Sequence, residues 1–231
     1  MKLKKVTPSE KAARNRWYDD ACGTALALEL VGERWSLLIV RELLYGGRRF
    51  SELKANLSGI SANILTQRLE GMEASGILVR KKLPPPASVQ IYELTPWGYE
   101  SETAIRELGR WAARSPDHDT TLPLSAASLM TSFRTMISAE RVGDETASIG
   151  FVFGPESFLA QIANGWIEIR RAGVEGAELV FDSDPMSLAS VVYGGRPIAD
   201  AEGAGVLTVR GDRALAERFT GWFPLPAKVE G

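Results

Sequence analysis

Six residues at helical spacing, Ser61, Ala62, Asn63, Thr66, Gln67 and Arg68, carry the chemistry most legible in this chain. Asn and Gln side chains pair with adenine edges, while Thr and Ala methyls contact the thymine methyl. At 100° per residue, Leu65, Leu69 and Met72 fall within about 60° of one another, so one side packs inward. Asn63, Gln67 and Glu70 lie opposite, with Thr66 and Ala62 flanking. Arg48, Arg49 and Lys54 precede this segment and Arg80, Lys81 and Lys82 follow it, as phosphate contacts would. The backbone N–H groups at the Ser61 end suit a further phosphate. Taken singly, each residue equally suits the solvated face of an amphipathic helix. Together they predict a major-groove reader of double-stranded DNA.

Catalytic chemistry finds less support. His118 is the only imidazole and stands between Asp117 and Asp119 in a polar stretch, where a solvated residue is expected. No residue set supplies an acid, a base and a nucleophile, and neither Gly-x-Gly-x-x-Gly nor a phosphate loop occurs. One Cys cannot pair within the chain, and one His with one Cys speaks against a zinc site. No enzyme activity, metal or cofactor is expected. Cys22, among Ala21, Gly23 and Ala25 and with no cation beside it, reads as a small buried apolar residue.

The net charge of −2 over 231 residues argues at first against a nucleic-acid partner. Divided at Gly98, the chain carries +5 before and −7 after. Six of the basic residues, against one acidic, lie in residues 1–16, so residues 17–98 are balanced at nine each. A basic arm therefore precedes a neutral module, and the DNA case rests on placement. No apolar run approaches the roughly 20 residues that span a bilayer, and the basic N-terminus lacks an apolar secretory core. The expected compartment is the cytoplasm, with no membrane partner.

Helical periodicity over residues 21–31 and 35–44 is closed by Gly46-Gly47, and a short amphipathic segment covers residues 51–57. Ser61 suits the N-cap of a helix over residues 61–75, and Gly76 its left-handed end. Strands are expected at 77–82 and 90–94, with Pro84-Pro85-Pro86 at the hairpin tip. Thr95 and Pro96 open a last helix striped by Ile105, Leu108, Trp111 and Ala112. This order predicts a mostly α winged helix-turn-helix.

Gly32-Glu33-Arg34-Trp35-Ser36-Leu37-Leu38-Ile39, Arg49-Phe50-Ser51-Glu52-Leu53, Ile60-Ser61 and Leu65-Thr66-Gln67-Arg68-Leu69 together resemble the HxlR family of bacterial transcriptional regulators. The Pro-Pro wing and Tyr92-Glu93-Leu94-Thr95-Pro96-Trp97-Gly98 extend the resemblance across about residues 20–112. It implies a homodimer whose flanking helices form the interface. Ala87-Ser88 before Val89 departs from the family's tighter wing tip. Cys22 stands where many members carry a cysteine, which in some forms an intersubunit disulfide on exposure to oxidants; the resemblance thus adds a redox role to the buried-residue reading.

The breaker-rich stretch 115–121 separates residues 1–114 from residues 122–231. Beyond it, helices are expected at 125–141, 155–164, 185–193 and 213–223, with strands at 148–153, 166–170, 178–182 and 205–210. This is an α+β pattern. Trp166-Ile167-Glu168-Ile169, Asp182-Ser183-Asp184-Pro185, Gly194-Gly195 and Leu207-Thr208-Val209-Arg210-Gly211-Asp212 resemble the sterol-carrier-protein fold over residues 122–224. That resemblance implies an apolar tunnel for a small apolar or lipid-like effector, with Phe133, Phe151, Phe153, Phe158, Trp166 and Trp222 as candidate linings. The same rings equally make a plain core. The expected function is a dimeric regulator reading a pseudo-palindromic operator; the alternative is an apolar-ligand carrier or sensor whose helical half serves dimerisation.

Overall fold

The computed structural model describes residues 18–230; the basic arm lies outside them. The first half places α1 (Gly23–Val31), α2 (Ser36–Leu43), α3 (Phe50–Asn56) and α4 (Ala62–Ala74) before a hairpin of β1 (Leu78–Lys82) and β2 (Gln90–Leu94). Two consecutive helices, α5 (Pro96–Glu100) and α6 (Glu102–Ala112), follow. Local chemistry sets these limits. Ser61 Oγ accepts the Ile64 N–H at 3.2 Å and opens α4. At its other end Gly76, at φ +74°, donates to Glu73 O while Ile77 donates to Met72 O, the paired bonds of a Schellman close. Thr95 Oγ1 accepts from the Gly98 N–H at 3.0 Å to start α5. A Cβ at Gly98 would stand 2.1 Å from Ile77 O, so only glycine lets α5 sit against the chain just before β1.

The second half contains α7 (Ala126–Met136), α8 (Ala139–Val142), β3 (Ala147–Phe153), β4 (Glu156–Ala163), β5 (Trp166–Arg171), β6 (Leu179–Ser183), α9 (Pro185–Val192), α10 (Ile198–Gly203), β7 (Leu207–Gly211) and α11 (Arg213–Thr220). The five strands lie in the order β5-β4-β3-β6-β7, with β3 and β6 parallel and the other neighbours antiparallel. Two expectations are corrected and one helix is added. The helix expected at 155–164 is strand β4, hydrogen-bonded on both sides and aligned Phe151 to Phe158 with β3. Its buried stretch Phe158, Leu159 and Ala160 is a short apolar run, which periodicity alone cannot separate from a buried helix segment. Asn164-Gly165, both at positive φ, turns it into β5, and this dipeptide was the hairpin signal in the sequence. The helix expected over 125–141 breaks at Ile137, whose extended backbone separates α7 from α8. Helix α10 was not expected.

One buried cluster runs through both halves, from Ile39 and Leu43 through Leu129 and Phe133 to Phe181 and Phe219. Helix α7 lies at its centre, packed on α2, α6 and β5. Ser125 Oγ, which caps α7, donates to the fully buried Glu42 at 2.6 Å. Glu102 pairs with Arg134 at 3.1 Å, and Arg106 and Arg110 donate to the last carbonyls of α7. The tail returns to the first half: Val229 N donates to Arg114 O, and Lys228 Nζ to the carbonyls of Ala113 and Ser115. Among the described residues no helix is long and apolar enough to cross a membrane.

Candidate nucleic-acid interface

Helix α4 buries Leu65, Leu69 and Met72 and exposes Ala62, Asn63, Thr66 and Gln67. The outward residues are short or carry terminal amides, the side chains that reach base edges. Ser61 is exposed at the same end. Arg68 is placed differently. Its guanidinium meets Glu33 at 2.6 Å and the Arg34 carbonyl at 3.1 Å, pinning α4 to the turn between α1 and α2. The wing supplies exposed cations: Arg80, Lys81 and Lys82 line an open concavity with Ser88 and Gln90. Arg80 is shared with Glu73 at 3.0 Å and lies 5.4 Å from the Tyr92 ring centre; Lys81 pairs with Glu93 at 2.9 Å. Lys82, Arg49 and Lys54 form no ion pair among the described residues. Arg49 is exposed at the start of α3, and Lys54 is half-buried.

Arg48 does not join this surface. Its side chain is buried and turned into the protein, 3.6 Å from Glu52 and 2.5 Å from Glu156 of β4. Burial pushes the Glu156 carboxyl up, but bonds from Arg171 and Arg48 outweigh it and hold the group below the usual carboxylate range. A cation at this position reads the same in sequence whether it faces a phosphate or a distant carboxylate.

Sequence reasoning also missed Glu42. This lone acid sits on the apolar side of α2, held by Arg41, by Asn56 at 3.1 Å and by Ser125. A charge among Ile39, Val40 and Leu43 was the available signal.

Cys22 is exposed, not buried, at the N-cap of α1. The amide of Thr24, then its side chain and the amide of Ala25, hold the thiol below its ordinary pKa. A helix N-terminus thus does what no neighbouring cation could.

Of the candidate tunnel linings, Phe133, Phe151 and Phe158 are fully buried, and Phe153 and Trp222 nearly so. Their rings meet one another or Phe219 at centroid distances of 5.4–6.4 Å. Trp166 stands apart, 65% exposed at the start of edge strand β5. Among the described residues no group of three His, Cys, Asp or Glu could hold a metal ion.

Helices α1 and α6 each keep two large apolar residues in solvent. Leu26 and Leu28 of α1 and Leu108 and Trp111 of α6 are all exposed. Helix α6 buries none of its residues completely although its apolar side chains gather on one side.

A helix pair with an outward amide-bearing face, followed by a basic two-stranded wing, defines a winged helix-turn-helix protein. The HxlR-like helix-turn-helix family matches residues 30–120. The uncharacterized HTH-type transcriptional regulator YvaP of Bacillus subtilis is 36% identical over 87 residues, which cover 37% of this chain and 80% of YvaP. The HTH-type transcriptional regulator YodB of the same organism is 35% identical over 86 residues, covering 37% of this chain and 77% of YodB. A solved structure of reduced YodB aligns with 42% of this chain and 97% of its own, at 31% identity and a TM-score of 0.39. The chain belongs to the HxlR-like helix-turn-helix family, whose members are transcriptional regulators and not enzymes. Residues 121–231 lie beyond the family match.

Proposed function

We propose that this regulator is a cytoplasmic homodimer that reads a pseudo-palindromic operator in double-stranded DNA through α4. The observation that carries this reading is the exposed pair Asn63 and Gln67, opposite the buried Leu65, Leu69 and Met72, with exposed Ala62 and Thr66 flanking them. Arg49, Lys54, Arg80, Lys81 and Lys82 supply phosphate contacts. The exposed apolar residues of α1 and α6 support a dimer built on those helices. Two copies related by a two-fold axis present two α4 helices to successive major grooves, so half-sites one helical turn apart are expected. Residues 115–121 connect this DNA-reading module, residues 1–114, to a regulatory module, residues 122–231.

That second module is read as sterol-carrier-like, supported by its five-stranded mixed sheet and the aromatic cluster against it. Rings in mutual contact fill its centre, so a small apolar effector enters only by displacing some of them. Such a ligand alters DNA binding only if its affinity differs between two arrangements of the dimer. The exposed Cys22 is a second input, through oxidation between subunits.

The test titrates the full chain against duplexes selected from a random pool, at two salt concentrations. Binding that falls steeply with salt is expected, because neutralised phosphates release counterions. Absent or salt-insensitive binding would overturn the reading in favour of an apolar-ligand carrier.

A further inference from the structure

Three elements that place the DNA-reading surface converge on Arg48. Its backbone forms a two-way bridge with Tyr92 of the wing, N–H to O and O to N–H, each at 2.8 Å. Its position is one residue ahead of the N-cap of α3, the helix that leads into the turn before α4. Its guanidinium reaches Glu52 within α3 and Glu156 in the second half. Glu156 is also held by Arg171, whose guanidinium lies 4.5 Å from the Phe158 ring centre, and that ring meets Tyr45 of the first half edge-on at 5.5 Å. The wing base, α3 and the C-terminal sheet therefore share one residue, the wing through its backbone and the other two through its guanidinium.

We propose that Glu156, acting through Arg48, is a positioning residue for DNA recognition: a carboxylate of the second half holds α3 and the wing base in the relative placement that DNA requires. The second half is then a working part of the reading surface, although Glu156 does not face the DNA. This inference rests on the DNA-reading assignment above. Its sign separates it from simple electrostatics. Removing a negative charge from a protein that binds a polyanion tightens binding on Coulomb grounds. Removing a positioning carboxylate weakens it.

The experiment uses the full chain and a duplex that the unaltered chain selects from a random pool, with affinity measured across salt concentrations. Glu156→Gln and Arg48→Gln are each expected to weaken binding at least about fivefold, the lower end of measured coupling between sites. The dependence of log affinity on log salt should stay unchanged in both. Glu168→Gln, which alters an exposed acid on β5, should not weaken binding. Arg48→Lys, which keeps the charge at shorter reach, should recover part of what Arg48→Gln loses. Thermal unfolding is followed for every variant; should either Gln variant be unfolded at the assay temperature, the Lys variant decides, with affinity equal to the unaltered chain counting against the proposal. Unchanged or tighter binding by folded Glu156→Gln overturns it. So does a salt slope that falls by about 1 in Arg48→Gln, the signature of a direct phosphate contact. Selection of no duplex at all by the unaltered chain would remove the DNA-reading assignment itself, an outcome distinct from either.

Discussion

Tyr45, two residues past the end of α2, and Thr131 of α7 meet hydroxyl to hydroxyl at 3.2 Å inside the seam between the halves. Thr131 spends its only proton on the Ala127 carbonyl at 2.8 Å, so Tyr45 is the donor. The two single substitutions should therefore differ. Tyr45→Phe leaves an acceptor unfilled and should cost about 1 kcal/mol, whereas Thr131→Val strands a buried phenol proton and should cost up to about 3 kcal/mol. Urea unfolding of both variants measures this, and the reverse order would refute the donor assignment.

The same phenol should mark the alkaline limit of stability. Burial pushes Tyr45 up to about 12, although the charge of Arg134 pulls the other way. A raised folded pKa means that the folded state keeps the proton longer than the unfolded state, whose phenol titrates near 10. Its contribution is complete below pH ~10 and is lost as the pH climbs toward ~12, an effect of about 2–3 kcal/mol. Tyr45→Phe should flatten stability over that window; an unchanged slope would assign the alkaline transition to other groups.

On the outward face of α4, Asn63→Ala and Gln67→Ala should each lower affinity for the selected duplex by about 1–3 kcal/mol and relax discrimination at one base pair. Their thermal midpoints should hold, because both side chains are exposed. Lys82→Ala should instead weaken binding to all sequences alike and reduce the salt slope by about 1. Fluorescence anisotropy with matched and mismatched duplexes separates the two behaviours.

Trp111 is 73% exposed and Leu108 47% exposed on α6. Replacing either by Glu should convert a sedimenting dimer to a monomer while leaving monomer folding intact, since neither supports the core. A dimer that survives both substitutions would place the subunit contact elsewhere.

Cys22 should alkylate faster in the folded chain than in urea at neutral pH, since the α1 amides favour the thiolate. Rates of iodoacetamide modification against pH should give a lower midpoint when folded. Coincident profiles would deny that effect of the helix end.

Local chemistry was the legible part of this chain. Ser61, Gly76 and Thr95 announce helix ends through bonds to neighbours a few residues away, and α4's two faces follow from spacing alone. What could not be read depends on contacts made at long range. Arg48 faces a carboxylate 108 positions later, and Glu42 is satisfied by Ser125, 83 positions later. Strand β4 falls between these cases: its apolar run was ambiguous, but Asn164-Gly165 marked its end. Trp166 was grouped with the other aromatics by residue type, while alternation along edge strand β5 turns it to solvent.

Arg114 is both where the chain leaves α6 and where it returns, since its carbonyl receives the Val229 N–H. The intervening residues thus form a loop closed at its own root, with the Lys228 ammonium seated on the adjacent carbonyls. That closure adds to the buried core and the α7 contacts already shared by the halves, so the second half is clamped at its two ends as well as along the seam.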